Sequence, residues 1–237
     1  SKNAKKEYLM IEPQKITAAR SPQRLFIYGK PKVGKTSAVA QLPKHLIIDT
    51  EVKGKSDGQL LGGTSYCEGA TSIVVESLNG LKACLSYLQS NPESHDFVVL
   101  DTIDHIEAWV TDAVCRSHNV KHIGDIPHGK GWSLMRSQVI AIVEQFARAS
   151  KHIIIVGHQK DGHDEEGVEV QKINLTGKLK THLCSIMDGV GRITREEDTL
   201  MIDFRTGINT DAGCRVPTLA GQLIELKWDA VYPDTIQ

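Results

Sequence analysis

With 237 residues, the chain suits one large domain, and its 40% hydrophobic and 24% charged content is that of a globular protein with a packed core. Twenty-eight Lys and Arg against 29 Asp and Glu leave a formal net charge of −1, which removes the strongly basic class of nucleic-acid binders but says nothing of local patches. Five scattered cysteines without a CxxC pair give neither a zinc knuckle nor a disulfide framework and fit reduced thiols in a cytoplasm, and no apolar run approaches the ~18 residues of a membrane span.

Residues 1–21 open on "SKNAKKEYLMIEPQK", which is polar, lysine-bearing and without a signal-peptide core. They are expected to form an N-terminal tail or a subunit-contact segment ahead of a single core over residues 22–237. Within the core, short apolar runs recur between turn residues: "RLFIYG" (24–29), "HLIIDT" (45–50), "TSIVVES" (71–77), "DFVVLD" (96–101) and "HIIIVGH" (152–158). Continuous apolar runs, as opposed to alternating ones, predict strands buried on both faces.

Helical spacing lies between them, from Lys35 to Leu42, Leu78 to Leu88, Ile103 to Ser117 and Trp132 to Ala149. This alternation predicts an α/β fold with a mostly parallel central sheet. Beyond residue 165, "VEVQKINL" (168–175), "GVGRIT" (189–194) and "TLMIDFRT" (199–206) predict an antiparallel C-terminal extension of the same sheet.

The first strand runs into Gly29-Lys30-Pro31-Lys32-Val33-Gly34-Lys35-Thr36, followed by Ser37. This satisfies G-x-x-x-x-G-K-[ST], between a strand and a helix as the motif requires. Glycines at both ends let backbone N–H groups ring a phosphate chain, and the helix that begins here adds its N-terminal dipole. Residues 29–37 are therefore the expected ATP-binding segment. Lys35 would reach the β- and γ-phosphates, and the Thr36 hydroxyl would bind magnesium.

Two further strands end in carboxylates. "FVVLD" ends in Asp101, the place for an acid that holds magnesium through water. The alternative is a helix cap, a role also open to Thr102 and Asp104. "LIIDTE" ends in Asp49 and Glu51. Many P-loop ATPases place their activating glutamate directly after the magnesium aspartate, but Thr102 stands there in this chain. Glu51 is thus the candidate to polarise the attacking water. The alternative is a solvated loop residue beside Lys53 and Lys55.

This order of motifs, closed by "IIIVGHQ", resembles the RecA-type recombinase core. It is more closely similar to the AAA-type phage nucleotide-binding family, which includes the Sak-four group of single-strand annealing proteins, through "IYGKPKVGKTS", "LIIDTE", "GDIPHGKGW" and "TGKLKTHLCSIMDGVGRI". The resemblance spans roughly residues 22 to 230. It implies a P-loop NTPase with a RecA-like core that uses ATP and magnesium, binds single-stranded DNA and promotes annealing or recombination. The implied assembly is a homo-oligomer, ring or filament, working with a phage-type single-strand-binding protein in a bacterial host cytoplasm.

By the same resemblance, Glu51 activates water and Gln159 senses the γ-phosphate. Lys178 and Lys180 match a cationic pair that recombinases insert onto a neighbour's γ-phosphate, with a solvated pair beside the helix opened by Thr176 or Gly177 as the alternative. Arg205 and Arg215 are further candidates for that cation. The stretch 115–132 falls where the family has its first DNA loop, with Arg116, Lys121 and Lys130 as cations and Trp132 as a stacking platform or a core residue. Lys160 opens the second such loop, "KDGHDEEGVEV", whose acids make it a poor partner for phosphates. With only about 20 residues ahead of the core, the polymerisation domain of full-length recombinases is expected to be missing. Two other functions share the phosphate turn: a small-molecule kinase, which would add an arginine-rich lid not seen here, and a nucleotide-switched loader acting on protein.

Overall fold

A computed structural model describes residues 15–163 and 166–236. Most of the expected N-terminal tail (residues 1–14) and two acids of the late loop, Asp164 and Glu165, lie outside the described residues.

The elements in chain order are β1 (Arg24–Gly29), α1 (Lys35–Val39), β2 (His45–Asp49), β3 (Gly54–Ser56), β4 (Gln59–Leu61), β5 (Ser72–Val74), α2 (Leu78–Ser90), β6 (Phe97–Asp101), α3 (Ile103–Ser117), α4 (Lys130–Arg148), β7 (His152–His163), β8 (Glu169–Ile173), α5 (Gly177–Ile186), β9 (Gly189–Glu196), β10 (Thr199–Asp203), β11 (Gly213–Cys214), β12 (Leu223–Glu225) and α6 (Trp228–Val231). The main path of the central sheet runs β12-β10-β9-β1-β7-β6-β2-β5. Strands β9, β1, β7, β6, β2 and β5 are mutually parallel, and β10, β12 and β11 add antiparallel pairs at the β9 side. This is the α/β P-loop fold expected from the alternating elements, with its C-terminal antiparallel extension.

The central strands are buried on both faces, which is why their sequences read as unbroken apolar runs. Phe26 and Tyr28 of β1 face a core built with α2, α3, α4 and α5, while Leu25 and Ile27 face a second core closed by α1 and α6. The second core holds the nucleotide-side helix in place, since Trp228 Nε1 of α6 donates to Ala38 O at 2.7 Å.

Several boundaries differ from expectation. The first helix ends at Val39 instead of Leu42, because Gln41 and Leu42 bond back three residues and Pro43 follows. Strand β7 runs on to His163, since its second half pairs antiparallel with β8, from Gln159↔Ile173 to His163↔Glu169. The helix expected to open at Thr176 or Gly177 is α5, with Thr176 as its N-cap, and it buries Leu179 and Leu183.

Candidate nucleotide site

Four parallel strands deliver the candidate residues to one edge of the sheet. β1 ends at Gly29 beside His158 of β7, and β2 and β6 end side by side with Asp49 opposite Asp101. β7 lies between the strand that feeds the phosphate turn and the strand that carries Asp101. Ligands of open α/β sheets bind outside this carboxyl edge.

The turn from Gly29 to Gly34 is held from inside. Lys35 is 6% exposed, and its Nζ donates to Gly29 O and Lys30 O, both at 2.9 Å. Gly34 has φ +114°, a conformation that a side chain would strain. Burial pushes the Lys35 ammonium below its usual pKa, and the charges of Asp101, Asp104 and Glu51 oppose that shift. Thr36 Oγ1 donates to Asp101 Oδ2 at 2.7 Å, so the two expected magnesium-side groups are in contact. Burial raises the Asp101 carboxyl to about 6, helped by the charge of Asp49, while the Thr36 bond and Lys35 pull it down. Ser37 follows in α1 with its hydroxyl 4.0 Å from Cys67 Sγ.

Asp49 is almost fully buried, and its role is to fasten a turn. Oδ2 accepts from Thr64 N at 2.8 Å and Thr64 Oγ1 at 2.7 Å, and Oδ1 accepts from Glu51 N at 2.9 Å. Gly62 is packed so closely that an added Cβ would lie 2.2 Å from Asp49 Oδ2. Glu51 is therefore set by its own backbone bond to Asp49. Its side chain is half-exposed and pairs with Lys53 Nζ at 2.9 Å, and its charge reaches both Lys35 and Asp101.

Thr102 and Asp104 stand at the start of α3, but no side chain caps that helix through its Thr102 N-cap. Asp104 Oδ2 accepts from His158 N at 3.2 Å and lies 3.3 Å from His158 Nδ1. Two buried oxygens one and three residues after Asp101, Thr102 Oγ1 and Asp104 Oδ1, have no hydrogen-bond partner among the described residues. The Thr36 hydroxyl and the Asp101 carboxylate in contact with it are oxygen donors that fit a hard, hydrated cation such as magnesium. Lys35 and the turn's N–H groups supply the phosphate side. No group of three or more His, Cys, Asp or Glu suited to a metal occurs among the described residues.

The remaining candidates are more dispersed. Gln159 Nε2 donates to Asp161, and Asp161 also pairs with Lys30 Nζ of the phosphate turn at 3.1 Å. These two bonds hold the Asp161 carboxyl below its usual pKa. Pro31, Lys32 and Val33 form the outer part of the turn. There Arg195, which lies in no sequence motif and so gave no local signal, donates to Val33 O at 3.3 Å from its anchor on Asp198 O. Lys180 Nζ pairs within the chain with Asp211 at 3.2 Å, and Asp211 also accepts from Ile173 N at 2.7 Å. Lys178 is exposed at the start of α5. Arg116, Lys121 and Lys130 are exposed along the α3–α4 connection, while Ile123 and Ile126 anchor that connection in the core. Trp132 is 39% exposed on α4. Lys160 is exposed on β7 opposite Lys172.

A strand-turn-helix phosphate loop with Lys35 inside it and Thr36 bonded to a strand-end aspartate defines a P-loop nucleotide-binding protein. Residues 21–219 match the AAA domain family, and the chain belongs to that family of P-loop ATPases. No curated protein matches the sequence. No helix among the described residues is long and apolar enough to cross a membrane.

Proposed function

We propose that the chain binds ATP with magnesium at residues 29–37, hydrolyses it, and couples turnover to single-stranded DNA in annealing or recombination. The observation that carries the ATP part is the Thr36–Asp101 contact, made beside a buried lysine held by the turn's own carbonyls. Backbone N–H groups of the turn and the Lys35 ammonium bind and orient the phosphates. Magnesium, when bound, would neutralise charge on the β- and γ-phosphate oxygens beside Thr36 and Asp101. Glu51, positioned by Asp49, orients the attacking water and takes its proton at the carboxylate. Gln159 directly follows the part of β7 that pairs in parallel with β1, between the phosphate turn and Asp101, and its release from Asp161 would let it meet the terminal phosphate.

The DNA part is supported by the exposed cations Arg116, Lys121 and Lys130 and by exposed Trp132, which run from the end of α3 through the α3–α4 connection to the first turn of α4. A homo-oligomer, ring or filament, and a phage-type single-strand-binding partner complete the reading. The acidic β7–β8 arm, with Asp161 and Glu169 described, favours a second reading: a nucleotide-switched assembly factor whose partner is a protein. Steady-state ATP turnover with single-stranded DNA, duplex or no DNA separates the two. Several-fold stimulation by single strands alone is expected. Equal turnover in all three would favour the assembly factor, and transfer of phosphate to a metabolite would make the protein a kinase.

A further inference from the structure

The end of the α3–α4 connection, the first turns of α4 and the start of α5 line a cavity of about 360 Å³. Buried Met135 and Leu179 give it an apolar base, and Trp132, Arg136, Lys178 and His128 surround them. No carboxylate lines it, and neither α4 nor α5 carries an acid in its first turn. An exposed indole next to an apolar base, rimmed by Arg and Lys, is complementary to one unstacked nucleobase and its flanking phosphates. The volume lies in the ~300–1,000 Å³ range of small-ligand sites.

We infer that this cavity receives a single base of a DNA strand, stacked on Trp132, with Arg136 and Lys178 on the adjacent phosphates. The inference rests on the single-strand reading above and deepens it. It gives Lys178 a DNA role within its own chain in place of one at a neighbour's phosphate. A duplex keeps its bases stacked and cannot supply the inserted base, so the cavity selects single strands.

The cavity is also tied to the nucleotide edge. Asn174 N donates to His158 O at 2.9 Å, one residue before Gln159, and Thr176 N donates to Glu107 Oε1 of α3 at 3.1 Å. His158 N in turn donates to Asp104, whose charge reaches Lys35. The segment that presents Lys178 is thereby braced on the same two elements that frame the phosphates.

The test is fluorescence anisotropy of the full chain with labelled oligo-dT, the same oligomer carrying abasic sites, and a duplex, each with and without a non-hydrolysable ATP analogue. The parent is expected to prefer oligo-dT over the abasic strand by about tenfold, the scale of one stacked base. Trp132→Ala removes that preference, and Trp132→Phe restores it. Lys178→Ala weakens both strands about equally. If the parent binds no single strand in either nucleotide state, the DNA reading fails and this inference with it. If the parent binds but Trp132→Ala keeps the full oligo-dT preference, the inference alone is overturned. It is likewise overturned if Lys178→Ala loses ATP turnover while binding single strands like the parent.

Discussion

Thr36 Oγ1 and Asp101 Oδ2 stand 2.7 Å apart although 65 positions separate them in the chain. The bond joins the start of α1 to the end of β6, two strands away from β1 across the sheet. It brings together the hydroxyl and the carboxylate of the candidate magnesium side.

The burial of Asp101 carries a pH signature. The native carboxyl is raised to about 6 from 3.8, so between these values the folded chain binds more protons than the unfolded chain. The contribution of Asp101 to the stability of the nucleotide-free protein should therefore fall as pH rises through this window and level off above it, by about 3 kcal/mol. Asp101→Asn should remove this contribution. Urea unfolding of the parent and of Asp101→Asn at pH 5 and pH 7.5, a span that holds about 1.4 kcal/mol of the effect, measures it as the difference between the two proteins. The difference is needed because the lowered His95 and His152 pKa values add stability over the same rise. An equal change in both proteins would contradict the assignment.

Asp49 and Glu51 lie two residues apart but should behave oppositely. Asp49→Ala strips partners from Thr64 N, Thr64 Oγ1 and Glu51 N, and should cost about 3 kcal/mol of stability along with most turnover. Glu51→Gln gives up a half-exposed pair with Lys53 and the smallest of the charge effects on Lys35 and Asp101, and should shift stability by no more than about 0.5 kcal/mol. Denaturant midpoints for the two variants decide this.

These contrasts show what the linear sequence could and could not display. The phosphate turn, the β2 and β6 ends and the parallel core were legible because each is a local pattern, a turn or an apolar run with a polar end. The β3–β4 hairpin, absent from the expected elements, also has a local sign: Asp57-Gly58, which adopts φ values of 50° and 80°. The pairing of Lys30 with Asp161, of Lys180 with Asp211, and of Trp132 with Lys178 around one cavity has no such sign. Each joins segments brought together only by the sheet order. Glu51 and Asp49 look alike as strand-end acids, and only burial and the Thr64 turn separate them.

Lys178 and Lys180 should separate in the same way. Lys180→Met leaves the half-buried Asp211 with weaker compensation and should lower stability by about 1–2 kcal/mol, whereas Lys178→Met should stay within about 0.5 kcal/mol. Thermal unfolding of the pair checks this. Equal midpoints would show that Asp211 does not depend on Lys180.

Asp161 holds both Lys30 of the phosphate turn and the Gln159 carboxamide. Asp161→Asn keeps the shape but gives up the charge, so both groups become freer to meet phosphate. The expected result is a KM for ATP lower by about two- to fivefold, the range of an exposed ion pair. An unchanged or higher KM would mean that the bridge does not compete with the nucleotide.

The most direct test of the ATP site is paired binding and turnover of Glu51→Gln, with Lys35→Ala as the control. The account predicts that Glu51→Gln binds a fluorescent ATP analogue within about twofold of the parent, while its hydrolysis falls by about a hundredfold or more. Lys35→Ala should lose the binding itself. Parental turnover by Glu51→Gln, or parental affinity in Lys35→Ala, would contradict it.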